Sequence, residues 1–144
     1  MINQFNGQYS FLSNFHMEFI YYDGYMYNSA EQLYQSFKAC SLADLHLIQD
    51  CPGPKESKRQ AQQIVIRPGW EEVKDEYMYR TLMCKFSQSP SLLDELIGTY
   101  PHSLEEGNKH HDNYWGNCSC DNCSELGGKN KLGRLLMDVR KILE

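Results

Sequence analysis

Four side chains near the start of this 144-residue chain have the types and the spacing for chemistry at a single point. Glu31, Tyr34, Gln35 and Lys38 recur at i, i+3, i+4 and i+7, which places them on one face of a helix. A carboxylate there can take a proton from water, or balance the positive charge that grows on an anomeric carbon as a glycosidic bond loosens. A lysine beside it can bind a phosphate or hydroxyl group, or attack the carbon as an amine. The same stretch has a purely structural use. Asn28-Ser29-Ala30-Glu31 has the spacing of a capping box, in which Glu31 folds back onto its own helix start. Spacing alone leaves both readings open.

Three further groupings carry chemistry-bearing residues. Asp112-Asn113-Tyr114-Trp115-Gly116 sets a carboxylate three residues before a tryptophan, whose ring offers a π-face to a base or serves as a core anchor. Ser10-Phe11-Leu12-Ser13-Asn14-Phe15 alternates aromatics with short polar groups that hydrogen-bond sugar hydroxyls, or else marks a strand ending in a turn. Cys118, Cys120 and Cys123 include one C-x-x-C pair with zinc-ligand spacing, and His110 or His111 would complete a fourfold set; reduced thiols packing a loop are the alternative. Lys55, Lys58 and Arg59, and separately Lys129, Lys131 and Arg134, read as solvated helix surface, with pyrophosphate binding near Lys129-Asn130 as the second reading. Cys40, Cys51 and Cys84 are scattered and read as buried small apolar residues.

The elements that must hold these groups are legible from periodicity. Residues Phe5 to Tyr27 are crowded with β-favouring residues, and Asp23-Gly24 between apolar runs signals a hairpin, so a small antiparallel sheet is expected here. Ala30, Leu33 and Phe37 predict a helix over 28–40. Shorter helices are expected over Leu42–Ile48, Lys55–Gln63 and Ser91–Ile97, and a long one over Glu71–Phe86 with Val73, Tyr77, Met78, Leu82 and Phe86 on its apolar face. Trp70 falls at the start of that helix and reads as core. His102 to Asn130 lacks periodicity and reads as a long functional loop with at most one short strand near Ser103-Leu104-Glu105. Leu132, Leu135, Leu136, Val139, Ile142 and Leu143 predict a C-terminal helix docked on the core.

Bulk properties narrow the class. A chain of this length fits one domain spanning 1–144. It is 41% hydrophobic and 23% charged, ordinary globular usage that excludes disordered, fibrous and membrane-spanning classes. The net charge of −5 gives no global footprint for gripping a phosphate backbone. Met1-Ile2-Asn3-Gln4 lacks the basic and apolar regions of a signal peptide, and no stretch approaches the roughly 20 apolar residues of a membrane span. A cytoplasmic location is expected, with no membrane partner.

Taken in order, these segments resemble the NADAR, or YbiA-like, family. The resemblance is carried by Ser13-Asn14-Phe15, by Glu31-x-x-Tyr34 with Lys38, and by Trp70-x-x-Val73-Lys74 followed by Met78, Leu82 and Lys85-Phe86. It continues through Leu104-Glu105-Glu106, Asp112-x-x-Trp115-Gly116, and Asn130-x-Leu132-Gly133-x-Leu135-Leu136-Met137 with Arg140. Six motifs in order span nearly the whole chain. The segment Cys118 to Cys123 departs from the shorter glycine-rich link associated with simpler members.

The resemblance implies an α+β, mainly helical fold, with a small N-terminal antiparallel hairpin packed against about six helices. It implies an N-glycosidic hydrolase acting on a ribose C1–N bond, with Glu31, Lys38, Asp112 and Trp115 as catalytic residues. Ser13, Asn14, Phe15, Tyr34, Gly116 and Asn130 would contact ribose or phosphate, in a site expected between the Glu31 helix and the Asp112–Trp115 loop. The favoured substrate is ADP-ribose on guanine in DNA or RNA, as in an antitoxin or repair enzyme paired with an ADP-ribosyltransferase toxin. A ribosylaminopyrimidine phosphate of riboflavin synthesis is the second substrate. A module that binds ADP-ribose or NAD without turnover is the reading from outside the enzyme class. Catalysis is expected to need no cofactor, and Cys118, Cys120 and Cys123 would hold a structural zinc.

Overall fold

The computed structural model describes residues 1–144, which form two compact units: a central stretch, Asn14–Ser89, and a terminal unit made of Met1–Ser13 with Pro90–Glu144. Six α-helices, one 3₁₀ helix and four short strands make up the α+β, mainly helical architecture.

The central unit opens with strands β1 (Met17–Tyr22) and β2 (Tyr25–Ser29), paired antiparallel with Tyr22 opposite Tyr25. The two turn residues, Asp23 and Gly24, have φ of 51° and 86°, the positive values that a two-residue hairpin turn matching strand twist demands. Alternation along the strands buries Ile20 and Tyr27 and exposes Phe19 and Tyr21.

Helices α1 (Ala30–Ser36), α2 (Leu42–Gln49), α3 (Pro54–Ala61) and α4 (Trp70–Gln88) follow. All seven residues of α1 are buried, because α2, α3, α4 and both strands pack around it. It is shorter than the helix expected over 28–40. The cause lies in Arg67, whose N–H donates to the Lys38 carbonyl at 2.8 Å and whose Nε donates to the Phe37 carbonyl at 3.1 Å. Ala39 then pairs with Ile66 as an antiparallel bridge, so the chain leaves the helix for an extended path. The α4 helix follows Gly69 in the left-handed region and has Glu71 and Glu72 in its first turn, where carboxylates suit the helix dipole.

In the terminal unit, Gly7–Leu12 forms the 3₁₀ helix, whereas the aromatic content had pointed to strand; Gly7 at φ 56° turns the chain out of extended conformation. Helix α5 (Pro90–Ile97) precedes two-residue strands β3 (Gly107–Asn108) and β4 (Asn117–Cys118), paired parallel. The 102–130 segment therefore holds two tiny strands, and Leu104 forms a parallel bridge with Ile2. Helix α6 (Lys131–Leu143) buries Leu132, Leu136 and Val139. Its Arg140 Nη1 donates to Thr99 Oγ1 and to the His102 carbonyl, both at 2.8 Å, tying it to the segment after α5.

The scattered cysteines depart from expectation. Cys40 is exposed and Cys51 and Cys84 are half-buried; Cys51 Sγ donates to the Leu47 carbonyl at 3.3 Å, a polar use of the thiol. No helix is long and apolar enough to cross a membrane.

Lys85 is fully buried on α4, and burial lowers its ammonium from the usual lysine value to about 7, against the pull of Glu18. The unfolded chain therefore binds more protons than the folded one between about pH 7 and pH 10, so stability should rise with pH across that window. Lys85→Met should flatten the slope, read as urea midpoints along a pH series.

Candidate active site around Glu31

The site begins with how α1 starts. Ser29, the last residue of β2, caps the helix: its Oγ accepts the Gln32 N–H at 3.1 Å. Gln32 reaches back, its Oε1 accepting the Asn28 N–H at 2.8 Å, while its Nε2 contacts the carbonyls of Ile48 and Cys51 at 3.0 Å each. The reciprocal cap is thus built by Ser29 and Gln32, one residue along from the spacing that suggested Glu31.

Glu31 is left for other work. It is 7% exposed, its N–H donates to the Asn14 carbonyl at 3.0 Å, and its Oε1 accepts from Gln35 Nε2 at 2.7 Å, a short charge-assisted bond. Both neighbours carry an unsatisfied acceptor: Asn14 Oδ1 and Gln35 Oε1 are buried without a hydrogen-bond partner. Native interiors pair such atoms because an unpaired one loses its hydration with no return. Two of them on residues hydrogen-bonded to Glu31 suit a ligand that brings donors.

Lys38 lies past the end of α1 yet returns to the same place. Its Nζ is 5.7 Å from the Tyr34 ring centroid and 5.9 Å from that of Trp70, within cation–π range. Tyr34 and Trp70 are themselves 5.4 Å apart, and Trp70 stacks on Tyr77 at 5.7 Å. Burial lowers the Lys38 ammonium below the usual lysine value; Glu31 opposes this, Lys58 adds to it, Glu71 opposes it and Lys74 adds to it. Three lysines and two glutamates therefore share one electrostatic field. Arg67 clamps the Phe37 and Lys38 carbonyls and donates to the Tyr77 hydroxyl at 2.7 Å, which fixes the backbone carrying Lys38. Phe15, 42% exposed, has Lys58 Nζ 5.9 Å from its ring.

The other predicted site residues fold within the terminal unit. Asp112 Oδ1 accepts the N–H groups of Tyr114 at 3.1 Å and Trp115 at 2.9 Å, forming a tight carboxylate-capped turn. Trp115 meets Tyr114 edge-on at 4.9 Å. A Cβ on Gly116 would collide with the carboxylate and carbonyl of Glu106, so that glycine is required by close packing. Asn130 Oδ1 accepts the Glu106 N–H at 3.0 Å and its Nδ2 donates to the Leu104 carbonyl at 2.9 Å, so its amide braces the loop. Ser13 closes the 3₁₀ helix, its N–H donating to the Ser10 carbonyl at 3.0 Å. The first N–H groups of α6, on Lys131 and Leu132, donate to the carbonyls of Tyr114 and Trp115. Those two donors of the first turn are therefore engaged within the loop.

The cysteine segment also gathers. Cys118 and Cys123 are buried and Cys120 is half-buried, and one ligand atom from each, with one from His111, lie within 4.8 Å of one another. Burial works to raise the Cys118 thiol, but hydrogen bonds from the Cys120 backbone and thiol, the His111 backbone and Cys123 bring it down to about 7. Burial and the Cys120 and Cys118 thiols push Cys123 up to about 11.

A NADAR domain model matches residues 2–144. The chain belongs to the NADAR domain family. It is 31% identical over 137 residues to the N-glycosidase YbiA of Shigella flexneri, covering 94% of this chain and 82% of that one. It is 43% identical over 76 residues to the chloroplastic riboflavin biosynthesis protein PYRR of Arabidopsis thaliana, covering 53% of this chain and 12% of that much longer one. The NMR structure of E. coli YbiA matches with a TM-score of 0.84 at 31% identity, over 99% of this chain and 84% of that one.

Within this NADAR domain the structure brings Glu31, Tyr34, Gln35, Lys38 and Asn14 into one unit, and Asp112, Trp115, Gly116 and Asn130 into the other. Trp70, Lys58, Lys74 and Arg67 were missed as site residues. Trp70 read as core, and is 7% exposed, but the lysine over its face gives it a second use. Lys58 lies on α3, and no local pattern tells that α3 packs on α1.

Moving the cap from Glu31 to Gln32 predicts a separation of effects. Ser29→Ala should lower stability by about 1 kcal/mol, as lost N-caps do, whereas Glu31→Gln should leave the thermal midpoint near that of the parent. Parallel thermal melts check both.

Proposed function

We propose that this chain is an N-glycosidase that hydrolyses a ribose C1–N bond, with Glu31 as the group that activates water. The observation that carries the reading is a buried carboxylate freed from capping, whose two hydrogen-bonded neighbours, Asn14 and Gln35, each carry an unpaired amide acceptor, with Lys38 in the same field. Water gives a proton to Glu31 and its oxygen to C1, and the electron pair of the C1–N bond leaves with the base, which takes up a proton. Oxidation states do not change, so the route calls for no redox cofactor. The orphaned Asn14 Oδ1 and Gln35 Oε1 would accept from ribose hydroxyls, and Lys38 would hold the sugar or its phosphate while stacked over Tyr34 and Trp70.

Asp112 is the other carboxylate among the catalytic residues that the family resemblance implies. With its Oδ1 engaged by two N–H groups, we assign it to shaping the turn that carries Trp115, and Glu31 to the chemistry.

The preferred substrate is a ribosyl phosphate on an aminopyrimidine. The relatives, an N-glycosidase and a riboflavin biosynthesis protein, favour it over ADP-ribosyl guanine, and the field of Lys38, Lys58 and Lys74 suits a phosphate in either. The experiment is incubation with each substrate separately, with released base and sugar followed by mass spectrometry. Turnover of the pyrimidine supports this reading. Release of ADP-ribose from guanine alone would return the assignment to nucleic-acid repair and imply a transferase that makes the modification. Binding of ADP-ribose with no turnover of either would make the chain a binding module. On the active substrate, Glu31→Gln should lower kcat by about 10²–10⁴-fold, the range for losing a general base, while Asp112→Asn, which keeps the capping oxygen, should stay within about tenfold. Should Lys38 attack C1 as an amine, kcat should climb with pH toward its lowered value and borohydride should trap a sugar adduct; Lys38→Met removes the adduct.

A further inference from the structure

We infer that His111, Cys118, Cys120 and Cys123 form a Cys₃His zinc site that staples the 109–128 segment and with it the Asp112–Trp115 turn. His111 Nδ1 lies 3.3 Å from Cys123 Sγ, 3.4 Å from Cys120 Sγ and 4.0 Å from Cys118 Sγ. Zinc bonds of about 2.3 Å to sulfur and about 2.0–2.1 Å to nitrogen, set tetrahedrally, put neighbouring ligand atoms about 3.5–3.8 Å apart. The observed separations bracket that range. One imidazole nitrogen offers a single proton or a single lone pair, so hydrogen bonding engages it with one of the three sulfurs at a time, whereas a metal ion accounts for all three.

The surroundings are those of a closed structural site. Cys118 and Cys123 are 1% and 6% exposed, so two sulfurs are shielded from exchange. His111 adopts a left-handed backbone at φ 69°, a conformation that a residue outside glycine keeps when its neighbours fix it. Backbone bonds fix the other ligands: the Cys118 N–H donates to Asn113 Oδ1 at 2.9 Å and the Cys123 N–H to the Cys120 carbonyl at 3.0 Å. His111 directly precedes Asp112, whose carboxylate holds the Tyr114 and Trp115 N–H groups, so a metal bond at His111 restrains that turn. Zn²⁺ displaces three thiol protons into water and takes neutral imidazole through Nδ1, leaving its proton on Nε2. With no open position among four protein ligands the ion is structural. The inference stands apart from the glycosidase reading.

The test is elemental analysis of the whole chain, expressed with zinc in the medium and purified in reductant without chelator. About one zinc per chain is expected for the parent and for His110→Ala, whose side chain takes no part. Cys120→Ser and His111→Ala should bind zinc more than about 100-fold more weakly against a competing chelator, since loss of a residue that merely hydrogen-bonds a metal ligand already changes affinity by about 10–100-fold. His111→Cys should regain full zinc. Cobalt exchanged into the parent should show tetrahedral ligand-field bands with thiolate charge transfer, and these should shift in His111→Cys. Little or no zinc in the parent with all thiols titrating free, a disulfide among the three cysteines, or equal zinc in parent and Cys120→Ser would each overturn the proposal.

Discussion

A helix buried on every side cannot put its polar side chains into water, and the central unit is organised around that constraint. Helix α1 carries Glu31, Gln32, Gln35 and Ser36, all buried. Each must find a partner inside the protein or lose its hydration uncompensated. Gln32 answers with a fan of contacts to Asn28, Ile48, Cys51 and Ser57, which ties α1 to the entry strand, to α2, to the link after it and to α3. Ser36 folds onto the Leu33 carbonyl at 2.6 Å. Glu31 and Gln35 bond each other across one turn, and it is at this pair and at Asn14 that pairing stops short, with two acceptors left over. Structural satisfaction ends where the candidate chemistry begins.

The same unit sets a cation against aromatic rings. Tyr34 comes from α1, Trp70 and Tyr77 from α4, and Lys38 from the turn after α1. A lysine held this way needs a rigid backbone, because its four-carbon stem otherwise samples many rotamers. Arg67 provides the rigidity through two carbonyls and a tyrosine hydroxyl. It lies just before the break at Pro68-Gly69, and the break itself starts α4 at Trp70. One short connection therefore aligns both the cation and the ring it faces.

Elements defined by local chemistry were legible in the sequence. Asp23-Gly24 marked the hairpin, the apolar spacing marked α4 and α6, and Glu31 with Lys38 stood out by type and interval. What escaped depends on contacts distant in sequence. The end of α1 is decided by Arg67, 31 positions beyond Ser36. Capping by Ser29 rather than Asn28 turns on which residue first takes helical dihedrals, and Ser29 at φ −166° is still extended as the last residue of β2. The 3₁₀ helix at Gly7–Leu12 was hidden by aromatic residues that suit strands equally well. The C-x-x-C pair was visible, but the choice between His110 and His111 required the backbone: the His110 N–H bonds Asn108 Oδ1, while His111 turns its ring onto the sulfurs.

The terminal unit meets the problem of buried polarity in another way. Strands of two residues have too few ladder bonds to hold themselves. Asparagines take the place of the missing ladder. Asn108 accepts from the His110 and Asp112 N–H groups and donates to the Asp112 carbonyl; Asn113 receives the Cys118 N–H; Asn117 receives the Gly128 N–H and donates to Glu105; Asn130 bridges Leu104 and Glu106. An amide that donates and accepts at once mimics a peptide group, so these four side chains act as short rungs between stretches that never pair as strands. Such rungs fix position without requiring sequence periodicity. The loop's order is therefore written in amide geometry, and periodicity could not reveal it.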